Sequence, residues 1–160
     1  MDEQKLQQIV FTYRGKVVAK PRMTQSDKWQ KRPRVTQFWV FKANILQAAL
    51  EAGFVPETST ILKLRFVAYI AIPASWSKKK RAERIGAIHD AKPDTSNILK
   101  GLEDTLAEDD SKIFAVAGEK YWDDDNGERV EIILDFLESQ RVIKVKARTT
   151  TAKRKRGYGW

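Results

Sequence analysis

The chain has no cysteine among its 160 residues and only one histidine, His89. Disulfides and thiolate metal sites are therefore excluded, and so is a zinc site built on several histidines. There is no Gly-x-Ser-x-Gly sequence and no cysteine to pair with His89, so no nucleophilic triad is available. No apolar run is long enough to cross a bilayer. The opening MDEQKLQQIVF is acidic and polar, unlike a secretory signal. An absence of cysteine fits a reducing compartment, and the expected location is cytoplasmic, with no membrane partner.

Charge of one sign is missing locally. Residues 141–160 hold eight Lys/Arg and no acid. Residues 14–34 hold eight against one, and residues 78–84 five against one. Residues 87–138 reverse the balance, with five basic and fifteen acidic side chains, inside a chain of net charge +9. Three basic blocks around an acidic middle suggest a polyanion binder that does chemistry through a divalent cation. With 42% hydrophobic residues the chain can bury one core. The expected organisation is a compact α+β domain over residues 1–140, a mixed sheet with packed helices, followed by a basic, flexible tail over 141–160.

Residues 8–13 read as a first strand, with Gly15 a turn and 16–19 a continuation of the pairing. Pro21 and Pro33 frame an extended basic loop carrying Lys20, Arg22, Lys28, Trp29, Lys31, Arg32 and Arg34, suited to phosphates and a base. Residues 37–52 have helical periodicity, with Gly53 as the stop. Residues 61–72 alternate as a strand with Leu62, Leu64, Phe66, Ala68, Ile70 and Ile72 on one face. Residues 77–86 read as a short basic helix presenting Lys78, Lys79 and Lys80, capped by Ser77. Residues 113–117, extended to Tyr121 and Trp122, and residues 128–137 read as strands. Asn126-Gly127 between them predicts a hairpin, with Asp123, Asp124 and Asp125 as turn residues.

The acidic stretch HDAKPDTSNILKGLEDTLAEDDSK (89–112) carries the chemistry. Pro93 places Asp94 on a loop or strand end, and a helix starts at Thr95 or Ser96. Ile98, Leu99, Leu102 and Leu106 form its apolar stripe, while Asn97, Lys100, Asp104 and Glu108 form a polar edge. Asp109 and Asp110 follow it, and a chain turning back there would bring Asp110 toward Asp94. Carboxylates of this kind suit Mg²⁺ on a phosphodiester, with Lys100 stabilising charge on the phosphate. The same pattern also fits an amphipathic helix with an i,i+4 Lys100–Asp104 pair and acidic caps.

Lys92-Pro93-Asp94-Thr95-Ser96-Asn97-Ile98-Leu99-Lys100, then Asp104-Thr105-Leu106 and Asp109-Asp110-Ser111-Lys112-Ile113, resemble the RusA family of Holliday junction resolvases, whose pattern runs K-P-D-x-D-N-L-x-K, D-x-L, D-D-x-Q-I. The resemblance covers roughly residues 8–137. It implies a small homodimeric Mg²⁺-dependent endonuclease, with Mn²⁺ as an alternative ion, often prophage-encoded, that cuts four-way DNA junctions by paired nicks. It also implies roles. Asp94, Lys100 and Asp110 are catalytic, and Asp94 and Asp110, or Asp109, are metal ligands. Ser96, Asn97 and Asp104 support them, and Lys120 matches a later family lysine on the DNA side. Two departures stand out. Ser96 occupies the place of the family's second metal aspartate, and the Asp104-to-Asp110 link is about four residues short. Two other readings follow from the same residues. One is a RusA-like junction binder with weak or no catalysis. The other is a basic regulatory or scaffold domain whose acidic helix binds a protein.

Overall fold

In the computed structural model, residues 4–22 and 32–138 are described. They form a single α+β domain with a mixed four-stranded sheet and three α-helices. The expected tail, and the Lys28, Trp29 and Lys31 part of the basic loop, lie outside the described residues.

Strand β1 (Lys5–Arg14) is followed by helix α1 (Pro33–Glu51) and β2 (Ser59–Ile70). Then come α2 (Lys78–Arg84), α3 (Thr95–Leu106), β3 (Ala115–Trp122) and β4 (Arg129–Glu138). Helix α1 starts earlier than its periodicity suggests. Pro33 ends no helix here; it occupies the first helical turn, where a missing N–H costs nothing. At the other end, Gly53 at φ 97° lets Phe54 N–H reach Ala49 O at 2.9 Å and Gly53 N–H reach Leu50 O at 3.0 Å, closing the helix. Residues 16–19, read as continued strand, form no strand.

The sheet order is β1-β4-β2-β3, which corrects the predicted hairpin. Among the described strands β3 pairs with β2 alone, in parallel, with one isolated bridge from Tyr121 to Ile88, and β4 inserts between β1 and β2, antiparallel to both. The Asp123–Glu128 link therefore does not reverse on itself but wraps around the end of β2. Asp123 N–H donates to Ile70 O at 2.8 Å, and Glu128 accepts from Ala71 N–H at 3.3 Å and Val17 N–H at 2.7 Å. Asp125 at φ 71° and Gly127 at φ 99° supply the left-handed bends this route requires. Asp124 has turn chemistry and more, because it forms a two-pronged ion pair with buried Arg129 at 2.9 and 3.1 Å.

In β2 a register shift between Ile61 and Lys63 moves Ile61 into the core and leaves Leu62 half-buried. Beyond it Leu64, Phe66, Ala68 and Ile70 face inward as expected. Phe41, Ile45 and Ala49 of α1 and Ile98, Leu102 and Leu106 of α3 pack with Leu64, Phe66, Ile132, Leu134 and Phe136 in one core. The predicted stripe of α3 is thus its buried face. That fixes which way its polar edge points, and so where the candidate site lies.

Candidate active site and nucleic-acid interface

Two stretches distant in sequence meet along α3. Residues 16–22 leave β1 and run beside the helix, where Lys20 N–H donates to Asn97 O at 3.2 Å. The Lys20 ammonium pairs with Asp104. Asp104 therefore binds a lysine from outside the helix in place of the i,i+4 Lys100. Gly101 makes the approach feasible. A Cβ there would stand 3.1 Å from Phe38 Cε2 and 3.6 Å from Lys20 N, so a larger residue would crowd α1 and meet the incoming segment. Lys20, Pro21, Arg22, Asn97 and Lys100 then line an open cleft of about 570 Å³. Three of these five side chains are cationic and one is balanced by Asp104, so the cleft attracts anions such as phosphate.

Asp94 stands at the mouth of α3. It occupies the N-cap position, yet its side chain caps nothing. The exposed carboxylate instead meets the Lys92 ammonium at 3.3 Å. Ser96 is exposed two residues further on. The loop leading to Asp94 is held from β3. Lys120 Nζ donates to Ala91 O at 2.5 Å and to Pro93 O at 2.9 Å. His89 lies in the same loop, 2% exposed, with its ring 4.1 Å from that of Trp122. Among the described residues neither of its ring nitrogens has a partner. Burial, then the Lys120 charge, lowers its pKa below 6.5.

Asp109 and Asp110 lie past the other end of α3. Asp109 accepts from Ser111 N–H at 3.1 Å and from its hydroxyl at 2.6 Å, and these bonds hold its carboxyl below the usual range. Asp110 begins a short 3₁₀ turn and acts on Glu103. Burial, then the charges of Asp110 and Asp104, raise the Glu103 pKa, with Lys100 opposing. Glu103 did not stand out in the sequence, although its position three residues after Lys100 was the available signal. The structure thus groups Lys100, Glu103, Asp104 and Asp110 electrostatically. It places Asp94 beyond the opposite end of a twelve-residue helix, about 18 Å long at 1.5 Å per residue.

The other basic candidates lie on α1 and α2. Arg32 is the N-cap residue of α1 and Arg34 lies in its first turn. Lys78, Lys79 and Lys80 are exposed on α2. Lys80 Nζ sits 3.9 Å over the Trp76 ring, which packs edge-on against Trp122 at 4.9 Å. Lys31 lies outside the described residues.

These positions decide what kind of metal site the chain can offer. Among the described residues no group of three His, Asp or Glu side chains converges to hold an ion. An all-protein cage therefore does not fit. Magnesium, however, needs only one or two carboxylates and completes its shell with water and substrate phosphate. An exposed carboxylate that caps no helix, as at Asp94, fits that requirement.

No curated protein and no solved structure matches the chain significantly. The family model described as Endodeoxyribonuclease RusA matches residues 14–134, from the end of β1 into β4. That family comprises divalent-metal-dependent endodeoxyribonucleases that resolve Holliday junctions. The match takes in both the Lys20-Pro21-Arg22 segment and the Asp94–Lys100 motif that the fold joins along α3. The chain belongs to the RusA endodeoxyribonuclease family.

Proposed function

We propose that the protein is a Mg²⁺-dependent endonuclease that nicks four-way DNA junctions, working as a homodimer whose two sites cut in pairs. The observation that carries this reading is the cleft itself. Lys20, Arg22, Asn97 and Lys100 come together from two distant segments, beside the helix that Asp94 precedes. Lys20 and Arg22 hold a backbone phosphate and fix the strand. Lys100 lies on the same helix face and offsets negative charge that builds on the phosphodiester during hydrolysis. Asp94 is the proposed ligand for the ion, whose shell water and the substrate phosphate complete; Asp110, separated from it by the length of α3, does not share that ion. When bound, the ion supplies Lewis-acid polarisation of the phosphodiester. Lys78, Lys79 and Lys80 of α2 extend the phosphate-binding surface toward a junction arm.

The test is cleavage of a labelled four-way junction, beside linear duplex, with Mg²⁺ or Mn²⁺. Asp94→Asn is expected to cut at least about 100-fold more slowly, roughly 2.7 kcal/mol of barrier, with junction affinity retained. Unchanged cleavage by Asp94→Asn, or no junction cleavage by the native chain with either ion, refutes the reading. Ser96 supports a second one, a junction binder with weak catalysis, because a neutral hydroxyl stands where the family pattern has an aspartate. That reading predicts tight junction binding, little product, and cleavage gained on Ser96→Asp.

A further inference from the structure

Lys120 lies on β3, and its backbone and side chain both grip the loop that ends at Asp94. Its carbonyl accepts from His89 N–H at 3.2 Å. Its ammonium donates to Ala91 O at 2.5 Å and Pro93 O at 2.9 Å. The segment from His89 to Pro93 is therefore tied to one residue at three points, the last of them adjacent to Asp94. Two of the three ammonium protons are committed to main-chain carbonyls. Hydrogen bonds from a charged donor to such carbonyls are among the stronger ones a loop can receive.

We propose that Lys120 is a positioning residue. It sets the place of the Asp94 carboxylate relative to the Lys20–Lys100 cleft by fixing the loop before it, and it does not act as a contact to DNA phosphate. This rests on the endonuclease reading for its effect on rate, but the loop itself can be observed without any activity. A displacement of about 1 Å in a reacting group can cost on the order of 100-fold in rate, so releasing the loop should appear in turnover more than in binding.

The experiment compares the native chain with Lys120→Met, which keeps the stem and loses the ammonium, and Lys120→Gln, which is neutral but keeps two N–H donors. Three quantities are measured: single-turnover cleavage at saturating junction, junction affinity against salt, and backbone ¹⁵N heteronuclear NOE at Asp90, Ala91, Lys92 and Asp94. Lys120→Met is expected to cut at least tenfold more slowly. Its junction Kd should stay within about twofold and its salt slope unchanged, with lower NOE across the loop. Lys120→Gln is expected to recover part of the rate and of the NOE, and it carries the test alone if Lys120→Met does not fold. A salt slope smaller by about 0.9, with the rate at saturation unchanged, would make Lys120 a phosphate contact and overturn the proposal. Native NOE values in both variants would overturn it as well. If the native chain cuts no junction, the endonuclease reading fails, and the NOE measurement still decides the role of Lys120.

Discussion

Gly118→Ala is a one-carbon change that tests how the sheet supports the site. Gly118 lies on β3 opposite Phe66 of β2, with its missing side chain aimed at the phenyl ring. An added Cβ would stand 2.6 Å from Phe66 Cζ, closer still to Cε1, and 3.1 Å from Thr95 Cγ2. Carbon atoms rest at about 3.5–4.0 Å, so the ring must move by roughly 1 Å. Phe66 is fully buried and has no open side to move into. Overpacking of this kind costs about 1–3 kcal/mol. Alanine in a strand returns about 0.5–1 kcal/mol of backbone entropy relative to glycine. The clash wins, and the expected net loss is about 1–2 kcal/mol. For a chain of this size that lowers Tm by about 2–8 °C. The assay is urea unfolding of Gly118→Ala, Phe66→Leu and the double variant. Phe66→Leu should make the alanine nearly neutral, giving a coupling of about 1 kcal/mol or more. A Gly118→Ala loss below about 0.3 kcal/mol, or simple additivity with Phe66→Leu, refutes the reasoning. Thr95 feels the same methyl, so cleavage by Gly118→Ala should fall further than its stability alone explains.

Two other perturbations have clear signs. Arg129 has a side chain only 7% exposed, held by Asp124 and Glu131 and stacked 3.8 Å from the Tyr69 ring. Arg129→Met should destabilise by about 2–3 kcal/mol in denaturant unfolding. That is below the roughly 3–5 kcal/mol of a fully buried pair, because Asp124 and Glu131 are 30% and 39% exposed. A loss under 1 kcal/mol would show the pair to be dispensable. His89 has a folded pKa lowered below 6.5, so the unfolded chain takes up its proton first as pH falls. Stability from this group is complete above pH 6.5 and declines as pH drops toward the folded pKa. Unfolding at pH 7.5 and 5.5 should show a smaller acid loss in His89→Leu than in the native chain, and equal losses would refute the assignment.

What could be read from the sequence and what could not divide by range. The stripe Ile98, Leu99, Leu102, Leu106 repeats within one helix, so periodicity alone identified α3 and its buried face. Ser77 and Gly53 announced helix ends for the same local reason. Asn126-Gly127 misled because its hairpin signal is also local, whereas the link is set by the need to clear β2 and place β4 beside β1. The register shift at Ile61 exchanged one inward residue for another, which strict alternation cannot anticipate. At the site, Asp94, Lys100 and Lys20 were visible as residue types in a motif. Their arrangement was not, because Lys20–Asp104, the bare backbone of Gly101 and the grip of Lys120 on Ala91 and Pro93 join residues far apart in the chain. A chain turning back after α3 would have brought Asp110 toward Asp94, and the twelve residues of α3 lie between them instead.

The insertion of β4 between β1 and β2 has a consequence for assembly order. Among the described residues β1 has no strand partner until β4 exists, more than a hundred residues later in the chain. During synthesis the helix with the Asp94 motif and the Lys20 segment emerge before the strand that completes the floor beneath them. A chain stopped ahead of Arg129 would leave β1 unpaired and the inner edge of β2 open to other strands. Pairings of such long sequence separation also close slowly. The fold thereby delays a rigid candidate site until almost the whole domain has been made.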